Sequence, residues 1–313
     1  MSVSGTASTM TLKFMLSKLM FNGSIVALVT PFTEQGEIDF PALDGLVDFH
    51  LENGSDGLVV AGTTGESATL SRQEFTAVLS RVIGRAEGRL PILAGTGSAS
   101  TQAAIEQTGR AAELGADGAL VVTPYYNKPT QAGLEAHFTA IADASDIAVI
   151  LYNVPSRTAI DMLPETVERL STHTRIAGIK EAVPDASRIE ELCARCGPDF
   201  AVLSGDDHSC LQAMRQGAHG VVSVAANVVP DRMRELCMAA AQLDWPLAAE
   251  IELRLKALFD ILMIETNPIP VKWALFEMSL TGSWVRLPLT RLDRKFRKPV
   301  RQCLIEQELV SAR

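Results

Sequence analysis

A lysine, a tyrosine, an arginine and two threonines stand where this chain could do covalent chemistry with its own side chains. Lys180 ends the run Arg175-Ile176-Ala177-Gly178-Ile179, and Tyr152 ends Ala148-Val149-Ile150-Leu151. Both runs read as strands buried on two faces. Arg157 follows Tyr152 in a Pro-containing turn, Asn153-Val154-Pro155-Ser156-Arg157-Thr158. If the two strands are parallel members of one barrel, their ends share a face, and a phenol, a guanidinium and an amine converge there. An amine with an ordinary pKa near about 10.4 is almost wholly protonated at neutral pH, so burial or a neighbouring cation must activate it before it can form a Schiff base. Taken singly, each residue has a plainer reading: Lys180 paired with Glu181, Tyr152 in the core, Arg157 in a surface ion pair. The combination is what argues for chemistry.

Other strand ends add to it. Gly62-Thr63-Thr64-Gly65-Glu66-Ser67 sets glycines around two hydroxyls, a tight loop able to hold an anion. Barrels usually hold phosphate after strands seven and eight, but here those ends read Ser204-Gly205-Asp206-Asp207 and Ser223-Val224-Ala225-Ala226. Two aspartates would repel phosphate, so the expected anion is a carboxylate at the second loop. Asp206-Asp207 is a weak metal candidate, because neighbouring strand residues point opposite ways. Tyr125 and Tyr126, in Thr123-Pro124-Tyr125-Tyr126-Asn127, read most simply as an interface pair. Neither a Ser nucleophile elbow nor a His-Glu-x-x-His motif nor an acidic metal cluster appears. The expectation is therefore no metal and no cofactor, with a protonated lysine imine as the electron sink for a keto acid.

The elements that would position these groups follow a regular beat. Apolar runs at 25–29, 57–61, 92–94, 119–122, 148–151, 176–179, 201–203 and 221–224 are separated by amphipathic stretches such as 40–52, 72–85, 102–114 and 164–171. Their spacing, roughly 20–35 residues, is that of a strand plus a crossover helix. Eight such units without a break in composition predict a (β/α)8 TIM barrel over 20–229. Helices at 233–243, 246–262 and 269–278 form a C-terminal helical region over 230–313, packed on the barrel or on a partner subunit. A doubly wound sheet is the rival. Its dinucleotide fingerprint has only Gly95-Thr96-Gly97-Ser98-Ala99-Ser100 as a candidate, with Ser100 where the third glycine belongs.

The net charge of −9 and pI near 5.2 argue against nucleic acid or an anionic membrane as partner. The five cysteines crowd into the later part of the chain, and Cys193-x-x-Cys196 has no second pair. They read as packing thiols in a reducing cytosol, which makes the expected location cytoplasmic. No apolar run reaches membrane-helix length. Residues 1–19 are Ser/Thr-rich and free of acids. They read as an N-terminal extension, disordered or not native, with a targeting segment as the second reading.

Gly62-Thr63-Thr64-Gly65-Glu66-Ser67, Thr123-Pro124-Tyr125-Tyr126, the Tyr152–Thr158 turn, Gly178-Ile179-Lys180-Glu181 and Asn267-Pro268-Ile269-Pro270-Val271-Lys272 together resemble the dihydrodipicolinate synthase family of pyruvate-dependent class I aldolases. The resemblance runs from about residue 20 to about residue 289. It implies that Lys180 condenses with pyruvate and that the resulting enamine attacks aspartate 4-semialdehyde, in lysine and diaminopimelate biosynthesis. It implies a proton relay of Thr63, Tyr152 and Tyr126, with Tyr126 supplied by a neighbouring subunit. Thr63 and Thr64 would hold the pyruvate carboxylate, Arg157 that of the semialdehyde, and Gly205 and Val222 would line the pyruvate pocket through main-chain groups. The implied assembly is a homotetramer built as a dimer of dimers.

One departure from the family pattern stands out. Lysine-inhibited members use an interface pocket with a histidine and an acid at positions that are Arg72 and Ala103 here, and Ala99 replaces a polar residue, while Tyr125 is retained. Weak or absent lysine feedback is expected. The competing functions are sister lyases with the same imine, acting on N-acetylneuraminate or 2-keto-3-deoxy sugar acids, and a non-catalytic metabolite-binding paralogue.

Overall fold

All eight apolar runs become strands, and they pair in parallel and in chain order around a closed barrel whose β1 also bonds to β8. This computed structural model describes residues 20–312. The expectation for residues 1–19 therefore lies outside the described residues. The strands are β1 Gly23–Ala27, β2 Gly57–Val60, β3 Ile92–Gly95, β4 Gly118–Val122, β5 Ala148–Asn153, β6 Ile176–Glu181, β7 Ala201–Ser204 and β8 Gly220–Ser223. β1 stops short of the apolar run that marks it. Leu28 and Val29 are buried in the loop above, where the Val29 N–H donates to Asn227 Oδ1 at 3.1 Å.

Between the strands run α1 Phe40–Glu52, α2 Arg72–Ala86, α3 Thr101–Leu114, α4 Gln131–Asp143, α5 Pro164–Ser171, α6 Ala186–Cys196 and α7 Cys210–Arg215. Five of these seven starts carry side-chain caps. Ser71 and Glu74 form a reciprocal capping box on α2, Ser100 caps α3, and Thr130 caps α4. α8, Pro230–Ala241, packs on β1 through a face that buries Met233, Leu236 and Ala240. It is thus the crossover helix of the eighth unit, placed on the other side of residue 229 from the strand it follows. The helices beyond it are α9 Trp245–Leu262, α10 Ile269–Glu277 and α11 Arg294–Glu306.

Side chains sort into an interior and a shell. Ile25, Ala27, Val59, Leu93, Leu120, Ile150, Leu203 and Val222 fill the barrel, while strand residues of opposite parity pack under the helices. The glycines of the weak dinucleotide motif serve this packing. A Cβ on Gly95 would lie 2.2 Å from the Ala61 carbonyl oxygen, and one on Gly97 2.4 Å from the Val122 nitrogen.

β6 breaks the alternation once. Ile176 and Ile179 pack under the helices, whereas Ala177 belongs to the interior and Lys180 lines the pocket above it. Two inward residues three positions apart need an irregularity, and the β5–β6 register supplies it. Val149 pairs with Ile176 but Ile150 with Gly178, one residue being passed over. A bulge of this kind re-aims every side chain beyond it.

Candidate active site

Past that bulge Tyr152 and Lys180 are register partners, and both point inward. The Lys180 Nζ stands 4.4 Å from the centroid of the Tyr152 ring. Lys180 is only 6% exposed, and no carboxylate among the described residues forms an ion pair with it. Glu181, its neighbour in sequence, turns to the other face. There both of its oxygens accept from Asn153 Nδ2, at 3.0 and 3.1 Å, and Oε1 also accepts from the Val183 N–H. Burial pushes the Glu181 carboxyl up to about 7 against the pull of these donors. The plain pairing of Lys180 with Glu181 is therefore absent.

A pocket of about 130 Å3 opens above Lys180 and Tyr152, with Thr63, Thr64, Arg157 and Gly205 in its wall. Gly205 lies so close that an added Cβ would come within 3.0 Å of Lys180 Cε. Arg157, on the helical turn Pro155–Thr158, has an exposed guanidinium held by a neutral group, the Asn267 carbonyl, to which Nη2 donates at 3.3 Å. No carboxylate among the described residues pairs with it. A second cavity of about 480 Å3 shares Thr63, Arg157 and Asn267 with the first and extends past Ser71 and Tyr125.

Two expected residues stand elsewhere. Val222 is buried in the barrel interior, and the β8-end residue in the pocket wall is Val224. Tyr126 is 95% exposed, in the left-handed region at φ 72°, and is absent from the pocket of the single chain. The pair Asp206-Asp207 lines the pocket but works as loop caps. Asp206 Oδ2 accepts from the Ser209 N–H and Oγ, and Asp207 Oδ2 from the Val224 and Ala225 N–H groups.

Sequence reasoning missed what holds the threonine loop. Glu66 and Lys272 are both buried, with Nζ to Oε1 at 2.5 Å, and Lys272 also donates to the Thr30 carbonyl at 2.8 Å. The other Glu66 oxygen accepts from the Arg286 N–H at 3.0 Å. Burial draws the Lys272 ammonium down to about 8, with Glu66 opposing the shift. Glu66 itself sits in the left-handed region at φ 53°, at the start of a short 3-10 turn. The only sequence trace of this pair was that both residues lie in quoted motifs. Nothing in either motif said that they touch.

Fold and pocket together define a (β/α)8 barrel with a buried lysine at the C-terminal end of its sixth strand, on the face where such barrels carry their chemistry. The Dihydrodipicolinate synthetase family model matches residues 20–307, and the chain belongs to that family. A 4-hydroxy-tetrahydrodipicolinate synthase of Stutzerimonas stutzeri is 53% identical over 285 residues, covering 91% of this chain and 98% of that protein. The Pseudomonas aeruginosa enzyme of the same name is 52% identical over the same coverage. The crystal structure of dihydrodipicolinate synthase from Aquifex aeolicus superposes with a TM-score of 0.92 at 46% identity, covering 94% of this chain and 100% of that one. A chloride-inhibited dihydrodipicolinate synthase from Acinetobacter baumannii, solved with pyruvate, gives 0.91 at 46% identity, covering 92% and 99%. No described helix is long and apolar enough to cross a membrane.

Proposed function

We propose that this chain is a lyase that condenses pyruvate with L-aspartate 4-semialdehyde to give 4-hydroxy-tetrahydrodipicolinate, a step of lysine and diaminopimelate biosynthesis. The observation that carries the reading is a buried lysine without a carboxylate partner among the described residues, set against a tyrosine ring in a pocket walled by two threonines and an arginine. The Lys180 amine adds to the pyruvate ketone and loses water to form an imine. Loss of a methyl proton gives the enamine, whose carbon attacks the aldehyde. The amino group of the second substrate then displaces Lys180 as the ring closes, and the amine is regenerated.

No cofactor enters this scheme, since the protonated imine is itself the electron sink. Thr63, Tyr152 and Tyr126 form the proton relay, with Tyr126 donated by a second copy of the chain. Its near-complete exposure in the single chain supports that role, as does its place on a strained, projecting turn. Thr63 and Thr64 hold the pyruvate carboxylate, and Arg157, whose charge has only a carbonyl partner among the described residues, holds the carboxylate of the semialdehyde. Gly205 leaves room beside Lys180 for the bound keto acid. The working form is a cytoplasmic homotetramer, a dimer of dimers.

The test is pyruvate-dependent consumption of aspartate 4-semialdehyde, coupled to a reductase, for the wild type and Lys180→Ala. Turnover that vanishes in the variant supports the reading. Borohydride trapping of pyruvate on Lys180 without turnover would instead point to a sister aldolase.

A further inference from the structure

Asn267 reaches both halves of the site from outside the eight strand–helix units. Its main-chain carbonyl accepts from Arg157 Nη2, and its side-chain Nδ2 donates to Thr64 Oγ1 at 2.9 Å. It is 7% exposed, and its Oδ1 is buried without a hydrogen-bond partner among the described residues. A bare buried acceptor costs free energy, so the amide orientation is set by what Nδ2 does rather than by satisfying both ends. The Arg157 contact uses only the backbone and would survive any residue at 267. The asparagine side chain is therefore explained by Thr64 alone.

A hydroxyl has one proton and can accept as well as donate. With Nδ2 filling an acceptor site on Thr64 Oγ1, that proton is left free. The same contact fixes the side chain of a residue that is itself only 3% exposed. We infer that Asn267 is a positioning residue that turns the Thr64 hydroxyl into a donor aimed at the carboxylate of the keto acid. This inference rests on the proposed function, in which Thr64 binds that carboxylate. Asn267 touches neither substrate in the scheme. It acts through Thr64 on one substrate and through its backbone on the other.

The two contacts separate in experiment. Asn267→Ala removes the amide and keeps the carbonyl. The pyruvate concentration for half-maximal borohydride trapping on Lys180 is expected to rise about fivefold to tenfold, the range for losing one hydrogen bond. The KM for aspartate 4-semialdehyde is expected to stay within about twofold, because the backbone carbonyl that holds Arg157 remains. Thr64→Val should raise the pyruvate requirement by at least as much, and Thr64→Val/Asn267→Ala should match Thr64→Val alone.

Additive losses in the double variant, or equal changes in both substrates, would mean a merely structural role and overturn the inference. Unchanged pyruvate dependence in Asn267→Ala would overturn it too. If Asn267→Ala does not fold, as judged by its thermal midpoint, Asn267→Ser takes its place with the same expectations. Wild-type protein that pyruvate and borohydride fail to label would sink the proposed function itself, and this inference with it.

Discussion

Lys180 and Tyr152 are direct register partners on neighbouring parallel strands, and the Lys180 Nζ lies 4.4 Å from the tyrosine ring centroid. In the proposed reaction this phenol, fixed beside the nitrogen that forms the imine, is placed to move protons as the imine forms and breaks. Tyr152→Phe keeps the ring and removes only the hydroxyl. Turnover is expected to fall by about a hundredfold or more, the scale of a lost acid–base group, while the thermal midpoint moves little. If kcat stays within a few-fold of wild type in the coupled assay, the hydroxyl is not in the relay.

The partnership depends on the passed-over residue in β6. Gly178 sits at that irregularity, where an added Cβ would meet the Ala201 carbonyl oxygen at 2.4 Å. Backbone cannot yield as a flexible side chain can. Gly178→Ala should destabilise the fold by about 1–3 kcal/mol, the usual cost of overpacking, and should lower the yield of borohydride-trapped Lys180 as the lysine is re-aimed. A variant with wild-type melting and trapping would show that β6 absorbs the methyl group without moving Lys180.

The barrel was legible in the sequence because its strands are buried on both faces. Runs such as 148–151 and 176–179 are then continuous apolar stretches bounded by polar turns. The side-chain direction of Lys180 was not legible. Strict alternation from the interior Ala177 would turn Lys180 outward, and only the pairing of Ile150 with Gly178 shows otherwise. The Glu66–Lys272 contact was hidden for a different reason. Its two residues come from the second loop and from α10, and no periodicity links segments so far apart. Tyr126 falls between these cases. Its motif was plain, but the single chain leaves it in solvent, outside the pocket, so only the proposed assembly would give it a role.

The Glu66–Lys272 pair gives a stability prediction. Removing one partner of a buried ion pair leaves an unpaired charge, at a typical cost of about 3–5 kcal/mol. Lys272→Met should lose stability on that scale, measured by urea denaturation. Because Glu66 braces the loop that carries Thr63 and Thr64, the same variant should also bind pyruvate more weakly. Glu66→Gln/Lys272→Met should recover part of the stability, since no bare charge remains. A double variant less stable than Lys272→Met would contradict this account.

Glu181 predicts a pH dependence of stability. Its carboxyl ordinarily titrates near 4.5 and is pushed up to about 7 in the fold by burial. Below 4.5 it is protonated in both folded and unfolded chains. Between 4.5 and 7 the folded protein holds a proton that the unfolded chain has released, so its contribution to stability falls as pH rises. Above that window the loss is complete, at ~3–4 kcal/mol by the conversion of about 1.4 kcal/mol per pKa unit. Glu181→Gln imitates the protonated form. Its stability relative to wild type should therefore grow across this window, read from urea midpoints at the two ends. A constant difference would mean that Glu181 titrates alike in both states.

Lysine feedback is the last expectation, and the structure sharpens it. Arg72 lines two cavities: the one that holds Tyr125 has Glu66 as its only acid among the described residues, already paired with Lys272, and the other carries Arg110, with Ala103 offering it no charge. The one acid of this latter groove, Glu106, is already bound to Arg72, Nη2 to Oε2 at 3.1 Å, while Arg110 pairs with Glu113. A lysine ammonium entering here would meet two guanidinium groups and would have to displace one of them to reach a carboxylate. Like-charge repulsion and the lost pair both oppose binding. Free lysine is therefore expected to leave turnover unchanged below millimolar concentration. Arg72→His/Ala103→Glu, which removes a permanent cation and adds an acid, should gain measurable inhibition in the same coupled assay. Sub-millimolar inhibition of the wild type would show that lysine finds an acid this groove does not offer in the single chain.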